Sequence, residues 1–251
     1  MIEIFPLTEI AEVRAGADVG ALLWQSLSAQ NISLQHHDIL VVTSKILSKA
    51  EGRFVDLAQI VPSADAIALA ARTHKDPALV ELILSESAAV VRAEPHILIT
   101  RHHQGWVMAN AGIDRSNLGP GSSERALLLP KNPDASAAAL AAHLSALAGV
   151  AVAVVISDSF GRPWRMGVVN VALGAAAMPA LVDRRGEEDR DGRVLEVTQI
   201  ALADMVASAA GLVTGEGAEG IPAALVRGLS WMHPDRPASA LVRAPTEDLF
   251  R

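Results

Sequence analysis

The sequence contains no cysteine and no tyrosine, and aromatic residues account for only 3% of its 251 positions. The absence of cysteine excludes disulfides, thiolate zinc sites, iron–sulfur clusters and a cysteine nucleophile, and it is compatible with a reducing compartment. So few aromatic side chains leave little for stacking against single-stranded nucleic acid. The net charge of −7 argues the same way, because binding to a phosphate backbone needs a basic surface. We therefore expect no nucleic-acid partner.

Segments that direct proteins to membranes are also missing. The first ten residues, MIEIFPLTEI, have neither the basic start nor the apolar core of an export signal. The longest apolar runs, near residues 147–156 and 168–182, are too short or too interrupted to span a bilayer. These features predict a cytoplasmic protein with no membrane partner. The length fits one large domain or two small intertwined ones.

Common nucleotide-binding motifs are absent as well. No segment matches GxxxxGK[ST], and no GxGxxG follows a predicted strand, so any nucleotide must bind in another mode. The adjacent pairs His36–His37 and His102–His103 do not favour a zinc site, because neighbours in an extended chain point to opposite faces.

Helical and strand patterns are mixed along the chain without a regular alternation, which predicts an α+β fold of mixed β-sheets with flanking helices. The elements predicted in the first two thirds are a helix over 17–30, a strand over 38–44, helices capped by Ser63 and Asp76, a hairpin turning at 103–105, a helix over 132–149 and a buried strand over 150–156. The elements predicted after them are a charged turn over 182–193, a strand over 194–198, a helix over 199–212, a glycine-rich loop over 214–222 and a final helix.

The buried strand over 150–156 is followed by DSFGRPWR, residues 158–165. Asp158 and Ser159 offer the hard oxygen ligands that Mg²⁺ and Mn²⁺ prefer, at the strand end where open sheets bind ligands. Arg162 and Arg165 follow on a glycine- and proline-containing turn, where guanidinium groups suit a phosphate or a carboxylate. The alternative interpretation is a surface turn with an Asx cap.

Two further loops carry polar residues of the same kind. In TSKILSKAEGR, Ser44, Lys45 and Lys49 follow a strand end and suit phosphate, or they form a solvated first helical turn. In ANAGIDRSN, Asp114 offers another metal carboxylate and Asn117 an amide, although both residue types are also ordinary turn formers.

A fourth loop, TGEGAEGI over 214–221, contains three glycines that let backbone amides approach an anion closely. The predicted helix after it would point its positive N-terminal end at the same place. Glycine-rich loops are common, so this motif alone is only suggestive.

In their order and separation, VVTSKILSKAEGR, NAGIDRSN, SDSFGRPWR and GEGAEGIP closely resemble the coenzyme F420-0:L-glutamate ligase family, and the likeness runs from PLTEI near the start to EDLFR at the end. The resemblance implies an α+β fold peculiar to the family and an intertwined homodimer. It also implies an enzyme that joins L-glutamate to the deazaflavin precursor F420-0 through a γ-linked amide. The implied cofactors are two Mg²⁺ or Mn²⁺ ions, with GTP as co-substrate and K⁺ as a further candidate.

The resemblance also implies roles for individual residues. Divalent ions are assigned to Asp114, Asp158 and Ser159, with Glu216 as an additional ligand. Nucleotide contacts are assigned to Pro6, Leu7, Thr8, Glu9, Ser44, Lys49, Asn117, Thr214, Gly215, Glu216, Gly217, Ala218, Glu219, Gly220 and Ile221. Arg162 and Arg165 match the family motif and are expected to hold either the nucleotide or the phosphate of the coenzyme.

The implied reaction begins with attack of the precursor's carboxylate on the γ-phosphate of GTP, and the glutamate amine then displaces phosphate from the acyl phosphate. Some relatives continue into a flavin-binding reductase-like domain, whereas residues 1–251 are expected to form the ligase domain alone. Three alternatives stay open: a metal-dependent phosphatase or nucleotide hydrolase, a family member acting on another carboxylate, and a non-catalytic interaction protein.

Overall fold

The computed structural model describes residues 1–119 and 124–248. Over these residues the chain forms mixed sheets with flanking helices, which confirms the predicted α+β class. The strands are β1 (Glu3–Pro6), β2 (Ile39–Thr43), β3 (Phe54–Asp56), β4 (Ser87–Glu94), β5 (Ile97–His102), β6 (Val107–Ala109), β7 (Arg125–Leu127), β8 (Ala153–Arg162), β9 (Arg165–Ala176), β10 (Leu181–Asp183), β11 (Gln199–Ala201) and β12 (Ala223–Arg227). The α-helices are α1 (Val19–Ala29), α2 (Ser44–Ala50), α3 (Ala64–Thr73), α4 (Pro77–Ser85), α5 (Pro133–Ala148) and α6 (Leu202–Thr214), and short 3₁₀ turns cover Leu57–Gln59, Asn110–Gly112, Ala238–Leu241 and Pro245–Glu247.

The largest sheet has five strands in the order β1-β12-β2-β8-β9. Strands β2 and β8 run parallel at its centre, and the other neighbouring pairs are antiparallel. Side chains from alternate positions of the central strands enter two different cores: Leu40 and Val42 pack with α1 and α5, whereas Ile39 and Val41 pack with α6. Burial on both faces explains why these strands appear in the sequence as continuous apolar runs.

A second group of elements covers residues 54–128, between α2 and α5. It contains the pair β3–β7, the sheet β4-β5-β6, and helices α3 and α4, around an apolar cluster that includes Ile83 and Leu98. Ser63 and Asp76 accept hydrogen bonds from the first turns of α3 and α4, as predicted. The predicted hairpin around 103–105 is also present, because β5 pairs with β6 across that turn.

Two helices hold the edge strand β9 from opposite cores. Asp134, in the first turn of α5, accepts hydrogen bonds from the backbone N–H groups of Ala175 and Ala238 at 2.9 and 2.8 Å. Asp204, in the first turn of α6, accepts one from Ala172 at 2.8 Å. Close packing also requires Gly174, since a Cβ there would lie 2.3 Å from the Pro133 carbonyl oxygen. These contacts fix the strand that carries one wall of the cavity described below.

Four sequence predictions are wrong. TSKILSKAEGR is not a loop, because Ser44–Ala50 forms helix α2. DSFGRPWR is not a loop beyond the strand, because β8 continues to Arg162 and pairs with β9 as far as the turn at residues 163–164. No strand covers 194–198, where a single bridge joins Glu188 to Val194 and regular pairing starts only with β11. The loop over 214–222 leads into β12 instead of a helix, because the apolar residues that follow pair between β1 and β2. Periodicity over so few residues does not distinguish a buried strand from a buried helix.

None of the helices in the two described ranges is both long enough and apolar enough to cross a membrane.

Glu86 links the 54–128 group to the end of α2. Its carboxylate lies 3.1 Å from Arg53 Nη2 and 3.6 Å from Nε2 of the buried His102. The contact with His102 is the main cause that lowers the pKa of Glu86, and Arg53 lowers it further against the effect of burial. A carboxyl with a lowered pKa in the folded state stabilises the protein above its unfolded pKa, and that stability is lost as the pH falls.

Glu86→Gln is therefore expected to lower the free energy of unfolding at pH 7 by about 1–3 kcal/mol, because a partly buried charged partner is removed from Arg53. The difference from wild type should shrink as the pH is lowered toward 4, and urea unfolding at several pH values measures it. Glu94→Gln, which alters an exposed surface pair with Arg92, is the matched control and should change stability by less than about 0.5 kcal/mol. A Glu86→Gln effect that is independent of pH would contradict this account.

Candidate active site

The candidate site lies where the parallel pairing of β2 with β8 ends, because β2 stops at Thr43 while β8 continues beyond Ser157. Thr43 pairs with Ser157 at this edge of the sheet, so the next residue of each strand, Ser44 and Asp158, meet. The Ser44 hydroxyl donates a hydrogen bond of 3.2 Å to Oδ1 of Asp158. A cavity of about 950 Å³ opens at this point. It is lined by separate stretches of chain: 10–13, 43–49, 108–119, 157–161, 168–170 and 214–222.

Asp114 is held in the cavity by a lysine and by its own loop. Lys45 Nζ lies 2.7 Å from Oδ2, and the backbone N–H and hydroxyl of Ser116 donate to Oδ1 at 2.7 and 2.8 Å. Burial alone would raise the pKa of Asp114, but the hydrogen bonds from Lys45 and Ser116 together outweigh burial and lower it. The carboxyl is therefore ionised at neutral pH and already lies beside a cation.

The pKa of Asp158 is shifted in the opposite direction from that of Asp114. The pKa of Asp158 is raised to about 7, mainly by burial and also by the neighbouring charge of Asp114, against hydrogen bonds from Ser159 and Ser44. The effect of Asp114 means that the two carboxyl groups lie close enough for their charges to interact. A divalent cation between or beside them would favour the ionised form of both.

Asp114 follows a backbone turn of left-handed conformation. Asn110, Ala111 and Gly112 have φ values of 53°, 52° and 72°. Such values cost roughly 1–2 kcal/mol for each residue with a side chain, and they cluster at functional sites. Gly112 is also required by space, because a Cβ there would lie 2.6 Å from Cδ1 of Leu129. This turn directs the chain from β6 into the cavity.

Lys49 and Asn117 connect the remaining walls. Lys49 is buried, forms an ion pair with Glu12, and donates a hydrogen bond of 2.9 Å to the carbonyl of Asn117. The Asn117 amide in turn donates to the Gly217 carbonyl at 3.1 Å, which ties it to the glycine-rich loop. A buried ammonium whose side-chain partner is an exposed carboxylate is well placed to exchange that partner for a phosphate.

The glycine-rich loop differs from the sequence prediction in its electrostatics. It follows the C-terminal end of α6, so a helix N-terminus does not face the cavity there. The C-terminal end of a helix carries partial negative charge, which favours a cation. Glu216, in this loop, accepts a hydrogen bond from the Ser159 hydroxyl. Any anion bound by the loop must use its backbone N–H groups alone.

The structure places most of the predicted site residues around the one cavity. Those that line it are Ser44, Lys49, Asp114, Asn117, Asp158, Ser159 and the loop Thr214–Ile221, which includes Glu216. These residues come from segments far apart in sequence.

Two predicted groups lie outside the cavity lining. Within Pro6 to Glu9, Pro6 pairs with Ala224, Leu7 is fully buried in the core, the Thr8 carbonyl accepts a hydrogen bond from Ser26, and Glu9 is exposed. The N-terminal wall is instead formed by residues 10–13. The prediction that Pro6, Leu7, Thr8 and Glu9 contact nucleotide stays a prediction without support from this geometry.

Arg162 and Arg165 are the second such group. They lie at the far end of the β8–β9 hairpin, where Arg162 Nη2 donates to the Met166 carbonyl at 3.4 Å. Neither lines the cavity. Their assignment to nucleotide or coenzyme phosphate stays a prediction.

Sequence reasoning missed three residues of the site: Glu12, Ser116 and Asn170. Ser116 follows Asp114 in the quoted loop, and the Asp-x-Ser spacing of a turn was a usable signal. Glu12 and Asn170 had no local signal, because their partners are distant in sequence.

The donor set fits a hard divalent cation. In the described ranges no three His, Cys, Asp or Glu side chains are grouped to hold a metal ion. Mg²⁺ and Mn²⁺ do not need such a group, because they take one or two protein carboxylates and complete their shell with water and phosphate oxygens. Asp114 and Asp158 would provide the carboxylates, and Ser159 and Glu216, which are hydrogen-bonded to each other, line the same cavity.

We predict that Asp158→Asn raises the melting temperature of the metal-free protein at pH 8. A carboxyl whose folded pKa is raised gives full stability only below its unfolded pKa, and this stability is lost as the pH rises through about 7. Asparagine avoids that loss, and each kcal/mol recovered corresponds to about 2–4 °C for a chain of this size. Calorimetry in EDTA at pH 8 and pH 5 measures the effect, which should be smaller at pH 5.

The same variant is expected to lose most of the Mn²⁺-induced rise in melting temperature. Asp191→Asn, on an exposed turn, is the matched control and should behave as wild type in both measurements. An unchanged melting temperature together with an intact Mn²⁺ response would contradict the description of Asp158.

Comparison with known proteins identifies the family of this chain. A family model described as F420-0:gamma-glutamyl ligase matches residues 8–228. The coenzyme F420:L-glutamate ligase of Methanopyrus kandleri is 44% identical over 254 residues, covering 100% of this chain and 98% of the relative. The enzyme of the same name from Methanothermobacter thermautotrophicus is 43% identical over 241 residues, which cover 95% of this chain and 94% of the relative. The one from Haloarcula marismortui is 42% identical over 258 residues, which cover 100% of this chain and 96% of the relative. The chain therefore belongs to the F420-0:gamma-glutamyl ligase family of enzymes.

Proposed function

We propose that this enzyme adds L-glutamate to coenzyme F420-0 through a γ-linked amide, with GTP and a divalent metal, by way of an acyl phosphate. The observation that carries the proposal is the presence of Asp114, Asp158, Ser159 and Glu216 in one cavity with the buried Lys49. The names of the relatives support the glutamate ligase activity. GTP, the two metal ions and the acyl phosphate are our inference from the chemistry of these residues and from the family motifs.

Amide formation requires activation of the carboxylate, because an oxide ion is too poor a leaving group. In the first step a carboxylate oxygen of F420-0 bonds to the γ-phosphorus of GTP, and the bond from that phosphorus to the β-phosphate bridging oxygen breaks to release GDP. In the second step the amine nitrogen of glutamate bonds to the acyl carbon, the bond to the phosphate oxygen breaks, and inorganic phosphate and a proton leave. A bound pair of divalent cations supplies charge neutralisation and alignment for the first step.

The residues of the chain have separate tasks in this scheme. Asp114, Asp158, Ser159 and Glu216 hold the metal ions. Lys49 binds triphosphate oxygens after release from Glu12, since a multiply charged phosphate attracts the ammonium more strongly than one exposed carboxylate does. The glycine-rich loop offers backbone N–H groups to the nucleotide, and Asn117 keeps that loop in register through its bond to Gly217. No side-chain nucleophile is required.

The direct test incubates the pure protein with F420-0, L-glutamate, GTP and Mg²⁺ or Mn²⁺, with and without K⁺. We expect mass spectrometry to detect glutamyl addition, with one GDP and one phosphate released for each amide formed.

Lys49→Met should lower kcat/KM for GTP by at least tenfold, because a buried phosphate contact is lost. Lys131→Met, which changes an exposed lysine, is the control and should stay within twofold.

Two results would replace this proposal. Phosphate release from GTP without F420-0 or glutamate would identify a nucleotide hydrolase with the same carboxylates. Coupled GDP release with a different carboxylate, but none with F420-0, would identify a ligase with another acceptor.

We also infer that the enzyme forms a homodimer through the projecting end of the β8–β9 hairpin. Apolar side chains on this end are strongly exposed: Met166 at 98%, Trp164 at 82% and Val168 at 51%. A cluster of this kind on a projecting hairpin is typical of a protein–protein contact.

Light scattering after gel filtration should therefore give twice the chain mass for wild type and the single chain mass for Met166→Asp. Met232→Asp is the matched control, because Met232 is fully exposed elsewhere on the surface. A monomeric wild type, or a dimer unaffected by Met166→Asp, would remove the hairpin from the contact.

A further inference from the structure

Asn170 is a polar residue of the cavity wall that the reaction scheme above does not use. It lies on β9 opposite Ser159, and its side chain is only 7% exposed. Its Oδ1 atom is buried and has no hydrogen-bond partner among the residues that the structure describes. Buried amide oxygens are nearly always paired with protein, water or a ligand, so an unpaired one in a residue of the cavity wall is a candidate contact for a hydrogen-bond donor once the amide turns toward the cavity.

The surroundings of Asn170 hold it in position. Ser208, on α6, donates a hydrogen bond of 2.7 Å to the Asn170 backbone carbonyl. Gly211, one turn further along α6, leaves the space in which the side-chain amide packs, since a Cβ there would lie 2.9 Å from Nδ2. The hydroxyl of Thr214, the next cavity residue on this helix, is also buried without a partner among the described residues. The wall beside α6 thus has two unmet polar groups.

The chemistry of these groups restricts the ligand. An amide oxygen accepts hydrogen bonds, so its ligand must carry N–H or O–H groups. Ionised phosphates and carboxylates have none at neutral pH, whereas the primary amine of an amino acid has two or three; the guanine ring and the sugar hydroxyls of a nucleotide also carry such groups, and the test below distinguishes them. The torsion about the Asn170 Cβ–Cγ bond is soft, so its oxygen can turn toward a donor in the cavity.

We propose that Asn170 binds the amino group of the incoming amino acid and orients it beside the metal-binding residues; this inference rests on the proposed ligase function. The pairing of Asn170 with Ser159 places the amine next to a residue that the proposed function assigns to the metal ions. The amine gives one proton to solvent, its nitrogen bonds to the acyl carbon, and phosphate leaves with the electrons of the broken C–O bond. Asn170 accepts a hydrogen bond throughout and takes no proton.

The test compares Asn170→Leu with wild type in the glutamyl-addition assay. Leucine has a similar volume but no polar atoms, so the variant should keep or improve its melting temperature while its KM for L-glutamate rises at least tenfold. The KM for GTP should stay within twofold of the wild-type value, and the rise in melting temperature caused by GTP with Mn²⁺ should match that of wild type. Asn170→Asp keeps an oxygen acceptor and should raise KM for glutamate by less than leucine does.

Gly211→Ala is a second, independent variant. Its added methyl displaces the Asn170 amide without removing it, so the same selective rise in KM for glutamate is expected. Leu212→Ala, at an 82% exposed neighbouring position, is the control and should match wild type. If Asn170→Leu fails to fold, Gly211→Ala carries the test.

An unchanged KM for glutamate in Asn170→Leu or in a folded Gly211→Ala, with an active wild type, would overturn the inference alone. A selective change in KM for GTP, or in the K⁺ requirement, would assign Asn170 to another ligand and would overturn it as well. An inactive wild type would instead count against the proposed function on which the inference rests.

Discussion

The parallel pairing of β2 with β8 is the constraint on which the rest of the site depends. The parallel register sets the end of β2 level with Ser157 of β8, so Thr43–Ser44 and Ser157–Asp158 meet although more than one hundred residues separate them in the chain. Antiparallel β12 and β9 complete the sheet on either side, and each brings its own cavity segment: the glycine-rich loop before β12 and Asn170 on β9. The core therefore does more than stabilise the fold, because strand order alone decides which polar residues become neighbours.

Two ion pairs and one carboxyl group of raised pKa limit the charge of the cavity before any ligand binds, whereas Glu216 and Glu219 form no ion pair within the described residues. Lys45 neutralises Asp114, and Glu12 neutralises Lys49, while Asp158 is buried enough to have a pKa near neutrality, raised to about 7. Each of these groups has an internal partner or a protonated state that the proposed metal–nucleotide complex would replace. A site arranged in this way avoids uncompensated buried charge in the free protein and still presents both signs of charge to the ligand.

The sequence was most informative where a structural feature is local. The caps at Ser63 and Asp76, the hairpin after β5 and the buried apolar run of β8 follow from residues within a few positions of one another. Motif resemblance brought together most of the cavity residues. Features that depend on distant pairing could not be predicted from the sequence. The segment that forms β12 was predicted as a helix, because its pairing with β1 and β2 cannot be seen locally. The contact of Glu12 with Lys49 and the packing of Asn170 on Gly211 likewise join residues far apart in the chain.

The left-handed turn over Asn110–Gly112 has a consequence for how this family can change. Three consecutive residues of left-handed conformation set the direction in which the chain leaves the turn. One inserted or deleted residue would change that direction and move the Asp114 carboxylate away from the cavity. The charged segment over 184–193 is largely exposed and contributes no residue to the cavity, so it tolerates length variation far better. Evolutionary drift in loop length should therefore concentrate in the second segment and spare the first.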